Sequence, residues 1–227
     1  MTSISSNFVP EHVATQQRLS DRAVAILGDN RIVPVIEIDD PADAVPLSCA
    51  LAAGGINVVE ITFRTPAGVD AVRAAAAGTD STVGAGTILT PSDVDSAVDA
   101  GAAFGVSPGW DAATAARAVE RGFVLIPGVT GASDIQQRLG EGYRTVKFFP
   151  AEANGGVRTL KQLSAAFAHT GIRFMPTGGV NAENAASYCS LSTVAAIGGS
   201  WVVPRSLVDS GDFGAITELA TKATAAI

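Results

Sequence analysis

The 227-residue chain is poor in the side chains that build disulfide scaffolds and metal centres. Its two cysteines, Cys49 and Cys189, lie far apart in helix-like segments and in no CxxC spacing, which argues against a disulfide framework or a zinc site. Its two histidines, His12 and His169, stand in no ligand motif, so no metal is expected. Positive charge is also scarce. Fifteen Lys and Arg against 22 Asp and Glu leave a net charge of −7, and no basic patch is present to neutralise nucleic-acid phosphates. Acidity discourages binding to anionic membranes, and no apolar run is long enough to span a bilayer. The first residues, Met1-Thr2-Ser3-Ile4-Ser5-Ser6-Asn7, lack a basic segment followed by an apolar one, so a cytoplasmic protein is expected.

Lysine is the rarer cation, with three in the chain. Lys161 and Lys222 fall in amphipathic helical segments, where a lysine belongs. Lys147 sits instead in the run Thr145-Val146-Lys147-Phe148-Phe149-Pro150, which reads as a strand entering the interior. An ammonium group is rarely buried without a partner. Burial disfavours the charged form, and a neutral amine is a nucleophile. The first functional expectation is therefore a Schiff-base lysine.

Around that run the pattern alternates. Short Val/Ile/Phe-rich stretches over 31–38, 57–63, 82–85, 103–106, 123–126, 145–149, 172–175 and 194–197 alternate with Ala-rich helical segments. Eight strand–helix units in 227 residues predict an α/β fold, a single (β/α)8 TIM barrel over 1–227 with no linker. Residues 10–27 predict an extra N-terminal helix covering the N-terminal mouth, and residues 1–9 a flexible or loosely packed extension. An open doubly wound sheet is disfavoured because no dinucleotide fingerprint follows the first strand.

A barrel carries its site at the C-terminal ends of its strands. Glu37 stands there on the first strand. On the second, Glu60, Thr62 and Arg64 are two apart and share one face, while Val59, Ile61 and Phe63 take the other. Thr145, Lys147 and Phe149 share a face in the same way. A carboxylate, a guanidinium and an amine are thus expected near one mouth. Gly178-Gly179 and Gly198-Gly199 follow the seventh and eighth strands, where barrels frequently bind phosphate on backbone N–H groups. Asn181 is the expected N-cap after the first pair, and Ser200 adds a hydroxyl. Gly84-Ala85-Gly86-Thr87 lacks nucleotide-loop spacing and reads as a close-approach turn presenting Thr87. Ser107 and Thr130 have no histidine partner and read as turn formers or substrate hydrogen-bonders.

Taken together, Val59-Glu60-Ile61-Thr62-Phe63-Arg64-Thr65, Gly84-Ala85-Gly86-Thr87, Ser107-Pro108-Gly109, Lys147-Phe148-Phe149-Pro150-Ala151-Glu152-Ala153-Asn154-Gly155-Gly156-Val157, Pro176-Thr177-Gly178-Gly179 and Gly198-Gly199-Ser200-Trp201 resemble the 2-keto-3-deoxy-6-phosphogluconate aldolase family, in order and spacing from about Arg31 to Leu207. The resemblance implies a homotrimeric, metal-independent and cofactor-free class I aldolase of the Entner–Doudoroff pathway. Its ligand is a small phosphorylated keto acid, split to pyruvate and glyceraldehyde 3-phosphate. It implies that Lys147 forms the imine and Glu60 moves protons, while Arg64 and Thr87 hold the pyruvate carboxylate. Pro108, Phe149 and Thr177 join the substrate wall, and Gly178, Gly179, Gly198, Gly199 and Ser200 the phosphate end. A sister family acting on the galactonate epimer usually has an apolar residue at the positions of Thr177 and Ser200, which favours the gluconate series. The neighbouring readings are an aldolase for that epimer or for 4-hydroxy-2-oxoglutarate, and a non-catalytic phosphosugar-binding barrel. A phosphosugar isomerase is weakest, because it gives Lys147 nothing to do.

Overall fold

The structure, a computed structural model, describes residues 10–28 and 30–227. The extension expected over residues 1–9 lies outside them. The strands are β1 Ile32–Ile36, β2 Val58–Thr62, β3 Thr82–Gly86, β4 Phe104–Val106, β5 Val124–Ile126, β6 Gly128–Val129, β7 Thr145–Phe148, β8 Arg173–Pro176 and β9 Ile197–Gly199. The helices are α1 Glu11–Leu27, α2 Ala44–Ala53, α3 Gly68–Gly78, α4 Pro91–Asp99, α5 Ala112–Glu120, α6 Ala132–Gly140, α7 Gly156–Phe167, α8 Ala185–Cys189, α9 Arg205–Asp209 and α10 Phe213–Ala225. Among the described residues, no helix is long and apolar enough to cross a membrane.

Strand follows helix because the local signals agree. Thr90 and Asp93 form a reciprocal capping box at the start of α4. Asp111 and Asp212 cap α5 and α10 by accepting from backbone N–H groups three residues on. The strands pair in parallel as two curled sheets, ordered β5-β4-β3-β2-β1-β9 and β6-β7-β8. The break between β5 and β6 is Pro127, which has no N–H for the ladder, although its carbonyl still accepts from Lys147 N–H at 2.8 Å. Parallel bridges from Phe174 to Val194 and from Thr177 to Gly198 link β8 to the last strand region.

The alternation of side chains sorts the core into two layers. Val59, Ile61, Val83, Ala85, Val146, Phe148 and Phe174 face outward and pack under the helices. Val33, Val58, Phe104, Val106, Val124, Ile126 and Met175 face inward, where Leu19, Ala23 and Leu27 of α1 join them. Ser20 ties α1 in place: its buried Oγ accepts from the N–H groups of Arg144 and Thr145, at 2.6 and 2.8 Å. The interior is therefore apolar toward α1. Apart from Gln16, Ser20 and Thr145 at that end, the ionisable residues Glu60 and Lys147 lie toward the C-terminal strand ends.

Four local expectations change. The third strand runs through Gly86, one residue past the expected stretch 82–85, so Gly84-Ala85-Gly86 is strand and not a close-approach turn, since Phe104 and Glu60 need its glycine faces. A Cβ on Gly84 would come within 2.3 Å of the Phe104 ring, and one on Gly86 within 2.4 Å of Glu60 Oε1. The last strand is Ile197–Gly199 rather than 194–197, because Ile197, Gly198 and Gly199 pair with Ile32, Val33 and Pro34. Gly198-Gly199 thus lies within a strand and not in the turn after it. Asn181 does not cap α8; its Oδ1 accepts from Glu183 and Asn184 N–H in a local turn before the helix. The short helix α9, after Pro204, was not anticipated.

If the inward glycine of β3 is a packing requirement, Gly84→Ala overpacks Phe104 and lowers stability by about 1–3 kcal/mol. Gly140→Ala, at a helix end with open space around it, leaves stability unchanged or raised. Urea denaturation of both variants checks the contrast.

Candidate active site

At the C-terminal strand ends lies a cavity of about 290 Å³. Its wall contains Glu60, Arg64, Thr87, Pro108, Lys147, Phe149, Thr177, Gly178, Gly179, Gly199 and Ser200. Eleven of the twelve residues singled out in the sequence meet there. The twelfth, Gly198, is not on the wall. It lies under Thr177, whose Oγ1 would be 2.3 Å from a Cβ at that position, so its smallness serves strand packing. Val35 and Val180 also line the cavity. Being apolar strand and loop residues, they carried no chemical signal in the sequence.

Lys147 and Glu60 come from β7 and β2 and point inward because each alternates with core-facing neighbours. The Lys147 Nζ lies 3.5 Å from Glu60 Oε1, and the two side chains are 6% and 0% exposed. That distance is an ion pair but too long for a good hydrogen bond. Both Glu60 oxygens are enclosed and, among the described residues, have no hydrogen-bond partner. A buried ion pair so sparsely bonded is a poor stabiliser, because desolvation offsets much of its attraction. Retaining it suggests chemistry. The Phe149 ring lies 5.0 Å from the Lys147 ammonium and forms an apolar flank.

Arg64 sits at the rim, half-exposed, and is held from behind. Its Nε donates to Thr62 Oγ1 at 3.3 Å, and Thr62 Oγ1 donates to Ile36 O at 3.0 Å. Its Nη1 meets Glu37 Oε1 at 2.6 Å. Glu37 Oε2 meets Arg205 Nη1 at 3.0 Å, and Arg205 also pairs with Asp39. The guanidinium is therefore held by two partners, and its remaining N–H donors are left for a ligand. Thr87 is the one non-glycine residue with positive φ, +61°, among those described. For a β-branched residue this is strained, costing on the order of 1–3 kcal/mol. The strain accompanies its place on the wall.

The other polar residues of the strand ends are accounted for locally. Ser107 Oγ accepts from Gly109 N–H at 3.4 Å. Thr130 N–H, Thr130 Oγ1 and Gly131 N–H all donate to Asp134, and these bonds hold the Asp134 carboxyl below its usual range. Both are turn formers.

The KDPG and KHG aldolase family model matches residues 24–219. The KHG/KDPG aldolase of Escherichia coli K12 is 42% identical over 202 residues, which cover 88% of this chain and 94% of that one. Among solved structures, the KDPG aldolase of Legionella pneumophila, with pyruvate captured as a covalent carbinolamine, is 40% identical. It superposes with a TM-score of 0.84 over 87% of this chain and 96% of its own. That of Zymomonas mobilis ZM4 with 3-phosphoglycerate is 38% identical, TM-score 0.79, over 93% and 94%.

The strain at position 87 has a measurable consequence. Thr87→Gly relaxes the backbone and is expected to leave stability unchanged or raise it by up to about 1 kcal/mol, the gain being reduced by the greater freedom of glycine in the unfolded chain. Affinity for pyruvate is expected to fall by about tenfold with loss of the hydroxyl. Urea denaturation and a pyruvate titration of the same variant check both halves.

Proposed function

Because the chain belongs to the KDPG and KHG aldolase family, we propose that it reversibly cleaves 2-dehydro-3-deoxy-6-phosphogluconate to pyruvate and glyceraldehyde 3-phosphate through an imine on Lys147. The enzyme is a carbon–carbon lyase. The observation that carries the reading is the enclosure of Lys147 and Glu60, 3.5 Å apart, in the wall of a cavity that also holds Arg64 and Thr87.

The chemistry follows from the positions. Glu60 takes a proton from Lys147, the neutral amine adds to the C2 carbonyl, and Glu60 returns that proton to the carbinolamine hydroxyl, which leaves as water to give a protonated imine. Arg64 grips the adjacent carboxylate with paired N–H donors, and the Thr87 hydroxyl adds a third. Glu60 takes the C4 hydroxyl proton. The C3–C4 bond breaks, its electrons pass into the imine to form an enamine, and the aldehyde leaves. Glu60 returns the proton to C3. Addition of water to the regenerated imine releases pyruvate and the free lysine. The imine is itself the electron sink, so no metal or cofactor is assigned. Pro108 and Phe149 keep the reacting carbons dry. The phosphate takes the other end, over Gly178, Gly179, Gly199 and Ser200, where glycine lets the backbone approach an anion.

Thr177 and Ser200 on the wall support the gluconate over the galactonate series. The name of the Escherichia coli relative, KHG/KDPG aldolase, supports a second activity on unphosphorylated 4-hydroxy-2-oxoglutarate at the same lysine. The two curled sheets are read as one eight-unit barrel, with Pro127 dividing its fifth strand and α1 covering its N-terminal mouth. A single domain, assembled as a homotrimer in the cytoplasm, completes the proposal.

Borohydride reduction with pyruvate is expected to yield one covalent adduct, mapped to Lys147. No adduct, or one on Lys161 or Lys222, refutes the mechanism. Arg64→Lys, which keeps the charge but loses the paired donors, is expected to raise KM for the keto acid by about tenfold or more. Unchanged steady-state kinetics would remove Arg64 from carboxylate binding.

A further inference from the structure

The segment Pro150-Ala151-Glu152-Ala153-Asn154-Gly155-Gly156 has no part in the imine chemistry, yet it lies along the Gly178-Gly179 turn. Ala151 N–H donates to Thr177 O at 2.7 Å and Glu152 N–H to Gly178 O at 3.0 Å. On the far side, Asn184 Nδ2 donates to Gly179 O at 3.1 Å. The carbonyls of both glycines are thus engaged. Among the described residues, the N–H groups of Gly178, Gly179 and Val180 have no hydrogen-bond acceptor. The backbone follows suit, with φ of +97° at Gly178 and +81° at Gly179.

Glu152 braces this turn with its side chain. A Cβ on Gly179 would lie 2.7 Å from both Cβ and Cγ of Glu152, so the glycine rests directly on the Glu152 stem. The carboxylate is drawn the other way. Its Oε1 accepts from the Tyr188 hydroxyl at 2.5 Å, and a Cβ on Gly156, at the start of α7, would come within 3.0 Å of the same oxygen. Tyr188 is fully buried. Burial first, and the bond to Glu152 second, push its phenol far above the usual range, so it stays a donor. A carboxylate swinging free beside an anion site would repel the anion. Here it is parked on Tyr188 and on the favourable end of the α7 dipole.

We propose that Glu152 and Tyr188 are positioning residues that hold the Gly178-Gly179 N–H groups ready for a phosphate monoester, and so set the preference for phosphorylated over unphosphorylated keto acids. This rests on reading that turn as the phosphate end of the cavity.

The full-length protein tests it by steady-state kinetics on 2-dehydro-3-deoxy-6-phosphogluconate and on 4-hydroxy-2-oxoglutarate, together with a phosphorus NMR titration with inorganic phosphate. Tyr188→Phe is expected to raise KM for the phosphorylated substrate by about tenfold and to weaken phosphate binding by a similar factor. On the unphosphorylated substrate, kcat and KM stay within about twofold. Glu152→Ala behaves like Tyr188→Phe. Glu152→Gln, which keeps the stem and an acceptor for Tyr188, restores near-native values. Equal losses on both substrates overturn the proposal, as does an unchanged KM for the phosphorylated one. If the native protein cleaves neither keto acid, the aldolase reading fails. The phosphate titration still decides the clamp: weaker binding in Tyr188→Phe upholds it, and unaltered binding overturns it.

Discussion

Two ionisable side chains, Lys147 and Glu60, share an interior that offers them almost nothing else to bond to, and much of the surrounding structure can be read as accommodating that arrangement. Burying such a pair is costly unless geometry is excellent, and at 3.5 Å it is not. The space for it comes from glycine. Gly86 on β3 clears the way for Glu60, and Gly84, one inward step below, admits the Phe104 ring that closes the floor. Beneath that floor the interior is apolar and is filled from outside by Leu19, Ala23 and Leu27 of α1. The packed lower half supplies the stability that the polar upper half does not.

Around this centre each binding group is oriented by residues that are not themselves on the cavity wall. Thr62 and Glu37 fix Arg64, and Arg205 shares Glu37, linking the ends of β1 and β2 to α9. Glu152 and Asn184 engage the carbonyls and the stem side of the glycine turn. The wall is thus made of groups whose donors point inward because their other valences are already used. Such preorganisation spares a substrate the cost of ordering them.

Much of this was legible in the chain. The two-residue spacing of Glu60 and Thr62 gives them a common face within β2, and Arg64, just past the strand end, still reaches the same cavity wall as Glu60. Lys147 was conspicuous because an ammonium has no solvated place in an apolar strand. Four misplaced residues share one cause. Gly84, Gly86, Gly198 and Gly199 were read as turn residues because glycine is common in turns. In the folded chain they are strand residues whose missing side chains make room for Phe104, Glu60 and Thr177, which are distant in sequence, and for the Trp201 ring, which folds back from just after the strand. Tyr188 and Glu152, 36 positions apart, gave no sign of meeting, and Val35 and Val180 were chemically silent.

The sequence by itself determined the alternation of strands and helices, the faces on which the reactive side chains lie, and the family to which they belong. These depend on local periodicity and on residue types, which need no knowledge of neighbours across the sheet. Only the tertiary structure decided that Lys147 and Glu60 stand side by side, that Gly198 supports Thr177 rather than lining the cavity, that Thr87 bears a strained backbone, and that Arg64 and the glycine turn are braced from behind. Those properties arise from contacts between segments brought together by the curl of the sheets, and no local pattern encodes a distance across it.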